Sequence, residues 1–137
     1  MNSKHVLNIA IIEDHNLVRQ GVTNALTSIN EKLNFIIQSD NGLDFIAQVG
    51  QITTVIDIVL VDLEVNNMNG FETITWLRLN LPDVKIIVLT QITDEIRIRE
   101  ALKLGIDGFF EKAVLLCDYP ITALLTSIEC IVIYNPC

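Results

Sequence analysis

The sequence predicts an α/β domain with five parallel strands in the order 2-1-3-4-5, doubly wound, with helices on both faces. Three observations carry this prediction. Short apolar runs alternate with segments of helical spacing along the chain, which is the pattern of repeated βα units. The run from Ile56 to Glu64 is almost continuously apolar and rich in β-branched residues until it meets Asp62, as expected of a central strand buried on both faces. The apolar runs also stop at polar residues: Glu13-Asp14, Asp62, Thr90-Gln91 and Lys112. Right-handed crossovers leave few strand orders open, and 2-1-3-4-5 suits this length.

In chain order, Val6 to Ile12 is the first strand, broken only by Asn8. From Leu17 the apolar residues fall at Leu17, Val18, Val22, Ala25, Leu26 and Ile29, a helical spacing that Asp14 or Asn16 could cap. Phe35-Ile36-Ile37 is a second, short strand, closed by Ser39-Asp40-Asn41-Gly42. Leu43, Ile46 and Val49 mark a short helix before the strand that ends at Asp62. The next helix runs from Gly70 to Leu79, with Phe71, Ile74 and Leu77 on one face, and Leu81-Pro82-Asp83 ends it. Val84 to Leu89 is the fourth strand. A helix from about Asp94 turns Ile98, Ala101 and Leu102 inward and closes at Gly105. Gly108-Phe109-Phe110-Glu111 is the fifth strand, and Ile121, Leu124, Leu125, Ile128, Ile131 and Val132 outline a last amphipathic helix.

Composition narrows the classes. The 137 residues suffice for one core, so a single domain over 1–137 is expected. No apolar run is long enough to span a bilayer, and the N-terminus lacks the pattern of a signal peptide. Three cysteines, Cys117, Cys130 and Cys137, lack C-x-x-C spacing, and Cys117 and Cys130 read as apolar fillers in a reducing, cytoplasmic compartment. A net charge of −8 with nine Lys and Arg makes the chain a poor nucleic-acid binder by itself.

In the order 2-1-3-4-5 the first and third strands flank a crevice at their C-terminal ends, which brings Glu13-Asp14 towards Asp62. Strands four and five add Thr90 and Lys112 at the same edge. Three carboxylates held close repel one another unless a cation is present. Oxygen ligands completed by water suit Mg²⁺, and a carboxylate can attack phosphorus to give an aspartyl phosphate. Lys112 offers a point charge, and Thr90 a hydroxyl, for phosphoryl oxygens.

These residues resemble the receiver domains of bacterial two-component response regulators, a flavodoxin-like fold. The motifs are Glu13-Asp14, Val61-Asp62-Leu63, Met68-Asn69-Gly70, Val88-Leu89-Thr90 and Gly108-Phe109-Phe110-Glu111-Lys112. Glu13 to Gly21, Asp40-Asn41-Gly42 and Ala101 to Gly108 look similar to the NarL/LuxR-type subgroup. The resemblance implies that Asp62 is the phosphoacceptor, with Asp14 a direct Mg²⁺ ligand and Glu13 holding the metal through water. The backbone carbonyl of Glu64 completes the protein ligands. Thr90 matches the switch hydroxyl, Phe109 the switch aromatic and Lys112 the phosphate-contacting lysine. It further implies a sensor histidine kinase or phosphotransfer protein as donor, self-catalysed chemistry rather than enzymatic turnover, and a possible homodimer.

Asn66-Asn67 stand where Pro-Gly is common, Gln91 follows Thr90, Ala113 follows Lys112, and Glu64 adds an acid beside the site. The loop after Asp62 is therefore expected to be looser or differently turned. His15 reads as a first-turn residue and Trp76 as partly exposed packing. Asp94 to Glu100 reads as a solvated helix face with i,i+4 pairs that borders the output surface. Regulators of this subgroup usually continue into a helix-turn-helix DNA-binding domain, which this chain lacks; residues 134–137 resemble the start of the linker. The reading favoured is a fragment controlling transcription through that domain, over a stand-alone receiver acting by protein contacts. Two rivals are a haloacid dehalogenase-type phosphatase, from Asp62-Leu63-Glu64, and a binding module that works without phosphorylation.

Overall fold

The computed structural model describes residues 6–65, 67–90 and 95–111. Their elements are β1 (Leu7–Ile12), α1 (Asn16–Ile29), β2 (Leu33–Ser39), α2 (Gly42–Val49), β3 (Ile58–Asp62), α3 (Gly70–Asn80), β4 (Lys85–Thr90), α4 (Glu95–Lys103) and β5 (Gly108–Glu111). All pairings are parallel, and the order is β2-β1-β3-β4-β5, as the sequence predicts. The last amphipathic helix and all three cysteines lie outside the described residues.

The period of two along each strand splits the core into two layers. Ile9, Ile11, Ile58, Leu60, Ile87 and Leu89 pack with Val22 and Leu26 of α1. Ala10, Ile12, Val59, Val61, Ile86 and Val88 pack on the opposite face with Phe45 of α2, Ile74 and Leu77 of α3 and Ala101 of α4. Each residue of β3 is buried, so the central run is apolar on both faces because both faces are covered. Its first pairs are set from outside the strand. Asp57 accepts from the Asn8 N–H at 2.8 Å through Oδ2 and donates its own N–H to the Asn8 carbonyl.

Three local expectations are corrected. α1 is capped by His15 with no side-chain hydrogen bond, not by Asp14 or Asn16. Asn16 Oδ1 is taken by Arg19 Nη2 at 2.5 Å, and Asp14 Oδ1 faces the His15 ring. On α4 only Ala101 is buried, while Leu102 is 48% exposed. A nine-residue helix on the sheet's rim buries a stripe about one residue wide, and Leu102 lies a further 100° round the axis. On α3 the buried face is Gly70, Thr73, Ile74 and Leu77, with Phe71 only half-buried. Trp76 is half-buried, as expected, and meets Phe45 edge-on with centroids 6.1 Å apart.

α3 starts at an unforeseen capping box. Asn69 Oδ1 accepts from the Glu72 N–H at 3.0 Å, and Glu72 Oε1 accepts from the Asn69 N–H at 3.1 Å. α4 closes at Gly105, whose φ of 96° only glycine adopts without strain.

Candidate functional site

The C-terminal edges of β1 and β3 meet at the crevice because Ile12 is in register with Val61. One residue further along each strand stand Glu13 and Asp62, 0% and 1% exposed. Glu13 is fixed from several sides. Its N–H donates to the Ser39 carbonyl at 2.9 Å, and its own carbonyl accepts from Arg19 Nη1 at 2.6 Å. The same guanidinium reaches Asp40 Oδ1 at 2.5 Å, so Arg19 ties the β1–α1 turn to the β2–α2 turn.

Asp14 and His15 complete the cluster. His15 donates its N–H to Glu13 Oε2 at 3.0 Å, and its Nδ1 lies 3.2 Å from both Glu13 Oε2 and Asp14 Oδ1. One ligand atom from each of Glu13, Asp14, His15 and Asp62 can be chosen so that all lie within 4.8 Å of one another. Asp14 Oδ1 is buried and accepts no hydrogen bond from the described residues. A buried carboxylate oxygen among other carboxylates is stable only beside positive charge. The donor set is chiefly hard oxygen, so it fits a divalent cation of the Mg²⁺ type better than a thiophilic metal.

Asp62 is held from its other side by the loop that follows. Oδ1 accepts from the Glu64 N–H at 3.0 Å. Of the two expectations for that loop, an unusual turn is what the described residues show. Asn67 and Met68 both have positive φ, 55° and 73°. Met68 packs so closely on Gly42 that an added Cβ there would lie 2.9 Å from its Cγ. The Glu64 side chain is turned to Arg97 of α4, which it meets at 2.5 Å. Arg97, expected on a solvated helix face, thus contacts this loop.

The other candidates fall as follows. Thr90 ends β4 one residue beyond Leu89, the register partner of Asp62, and pairs with Glu111. Phe109 is the register partner of Val88, and the residue is 41% exposed. Lys112, Gln91, Asn66 and Ala113 lie outside the described residues. Sequence reasoning did not assign His15 to the acid cluster, Arg19 to the turn clamp or Arg97 to Glu64. His15 had a signal, its place directly after the acid pair. The other two had none, because their partners are remote in sequence.

Comparisons with known proteins agree with this geometry. A family model described as response regulator receiver domain matches residues 9–118. The response regulator protein VraR of Staphylococcus epidermidis is 27% identical over 112 residues, covering 82% of this chain and 52% of that protein. The chain therefore spans about half the length of the curated relatives it matches. The isolated REC domain of RcsB from Salmonella enterica serovar Typhimurium, solved with phosphomimetic BeF₃⁻, superposes with a TM-score of 0.79 at 20% identity. It covers 91% of this chain and 89% of its own. The signal receiver domain of the putative response regulator NarL from Mycobacterium tuberculosis gives a TM-score of 0.76 at 21% identity, covering 91% and 98%.

Proposed function

The chain belongs to the response regulator receiver family, and from that premise we propose that it accepts a phosphoryl group on Asp62 and converts it into a change of surface. One observation carries the reading. Asp62 is a nearly fully buried carboxylate at the end of the central strand, with an oxygen in the same 4.8 Å cluster as those of Glu13 and Asp14. A nucleophilic carboxylate, a pair of metal-binding acids and a protein fold that aligns them are what stoichiometric phosphoryl transfer needs.

In the proposed reaction an Asp62 oxygen forms a P–O bond while the donor's P–N bond breaks, and the electron pair stays on the donor imidazole. The donor is a phosphohistidine on a sensor kinase or phosphotransfer protein. Asp14, Asp62 and the Glu64 carbonyl would hold Mg²⁺, with Glu13 acting through water. When bound, Mg²⁺ offsets negative charge on the transferring phosphoryl oxygens. The Glu64 N–H holds Asp62 Oδ1 and so orients the carboxylate that attacks. Lys112 contacts the phosphoryl group, Thr90 engages it as the switch hydroxyl, and Phe109 turns inward from its exposed position.

The chain is read as one receiver domain over 1–137 in the cytoplasm, acting as a stoichiometric acceptor. No helix among the described residues is long and apolar enough to cross a membrane. Output is assigned to transcription through a helix-turn-helix domain of the kind regulators of this subgroup carry, with action by protein contacts, a homodimer among them, as the alternative. Exposure to acetyl phosphate and Mg²⁺ is expected to label each chain once and then stop. Beryllium fluoride is expected to bind, and Asp62→Asn to lose both responses. An Asp62→Asn protein that responds as fully as the wild type would overturn the assignment.

A further inference from the structure

Arg97 lies on α4, away from the acid cluster, yet it reaches the loop that follows Asp62. Its Nη1 donates to Glu64 Oε1 at 2.5 Å, and its guanidinium carbon stands 5.7 Å from the centroid of the Phe71 ring. Glu64 is thereby tied at both ends. Its backbone N–H holds Asp62 Oδ1 at 3.0 Å, and its carboxylate is drawn outward onto α4.

Two physical features give this tie consequences. The first is charge. Glu13, Asp14 and Asp62 already place three carboxylates in the crevice, and Glu64 brings another acid two residues from the acceptor. An ungathered carboxylate there repels an anionic donor and attracts a cation. The second is backbone strain. Two successive non-glycine residues of the loop, Asn67 and Met68, sit in the left-handed region, which persists only where surrounding contacts hold it. Arg97 supplies such a contact, by ion pair to Glu64 and by cation–π contact to Phe71 in the first turn of α3.

We propose that Arg97 is a positioning residue for the Asp62 centre. It withdraws the Glu64 carboxylate from the crevice, so that the site stays open to an anionic phosphodonor, and it pins the segment whose N–H orients Asp62. The inference deepens the acceptor reading above and rests on it. Both side chains are partly exposed, 38% for Arg97 and 34% for Glu64, so the effect is moderate. Pairs of this kind change an equilibrium by up to about fivefold, and less at high salt.

The test compares wild type, Arg97→Ala, and Arg97→Ala combined with Glu64→Gln, with Asp62→Asn as control. Labelling is followed as a function of acetyl phosphate concentration at saturating Mg²⁺, and Mg²⁺ affinity is measured separately by calorimetry. Arg97→Ala is expected to raise the half-saturating acetyl phosphate concentration by about two- to fivefold and to tighten Mg²⁺ binding by a similar factor. The added Glu64→Gln change is expected to return both values towards wild type. Simple local damage would weaken both, which overturns the proposal, as does an Arg97→Ala protein indistinguishable from wild type or a double variant as defective as the single one. Absence of label in the wild type overturns the acceptor reading and this inference together. Normal wild-type labelling, lost in Asp62→Asn but unaltered in Arg97→Ala, overturns this inference alone.

Discussion

Gly70 and Leu63 are in backbone contact directly beneath the candidate acceptor. A Cβ added to Gly70 would lie 2.5 Å from Leu63 Cα and 2.8 Å from the Asp62 carbonyl oxygen, and the Gly70 N–H donates to the Leu63 carbonyl at 3.3 Å. The start of α3 is thus pressed against the end of β3 so closely that only hydrogen fits between them. Gly70→Ala must push the two segments apart. Forcing atoms into packed space costs about 1–3 kcal/mol, to be read as a lower urea midpoint with unchanged slope. Because the displaced backbone carries Asp62, beryllium fluoride binding is expected to weaken in the same variant.

Asp14 contributes a buried oxygen with no hydrogen bond from the described residues. Its loss should therefore act on the cation more than on folding. Asp14→Asn is expected to raise the Mg²⁺ concentration needed for beryllium fluoride binding by about tenfold or more, since changes merely adjoining a metal's ligands already cost about ten- to a hundredfold. The urea midpoint is expected to hold or rise, because the change removes a repelling charge from beside Glu13 and Asp62. A fall in stability with no change in Mg²⁺ dependence would remove Asp14 from the metal site.

Arg19 serves two carbonyls and two side chains at once: the Glu13 and Ser39 carbonyls at 2.6 and 3.4 Å, and the side-chain oxygens of Asp40 and Asn16 at 2.5 Å each. Lysine keeps the charge but presents a single point where the guanidinium presents a fork. Arg19→Lys is expected to lower stability by about 1–3 kcal/mol, chiefly through the loss of the guanidinium bond to the Glu13 carbonyl, measured by urea unfolding. Asp40→Asn is expected to change it far less, because the Asp40 side chain is 64% exposed.

Much of this architecture is legible in the residues alone. The run at β3 reads as a strand covered on both faces, and Gly108 to Glu111 matches the observed β5 residue for residue. Gly105 reads as the end of α4. Where expectation and structure part, the reason is local competition. Asn16 is a good capping residue by type, but Arg19 draws its oxygen away, so His15 caps α1 by backbone geometry alone. Leu102 fits a helical apolar stripe, but α4 lies on the sheet's rim and buries only Ala101.

By itself the sequence determined the order of the elements, their parallel arrangement and the polar residues placed at the strand ends. Those features follow from the period of the apolar residues and from turn chemistry, which are encoded within a few positions of each residue. Only the tertiary structure decided that Arg19 joins the β1–α1 turn to Asp40, that the loop after Asp62 is turned through Asn67 and Met68, and that Arg97 meets Glu64 rather than a neighbour on its own helix. These contacts join residues whose separation carries no periodic signal. They depend on how packed elements aim their side chains, and that direction exists only once the chain has folded.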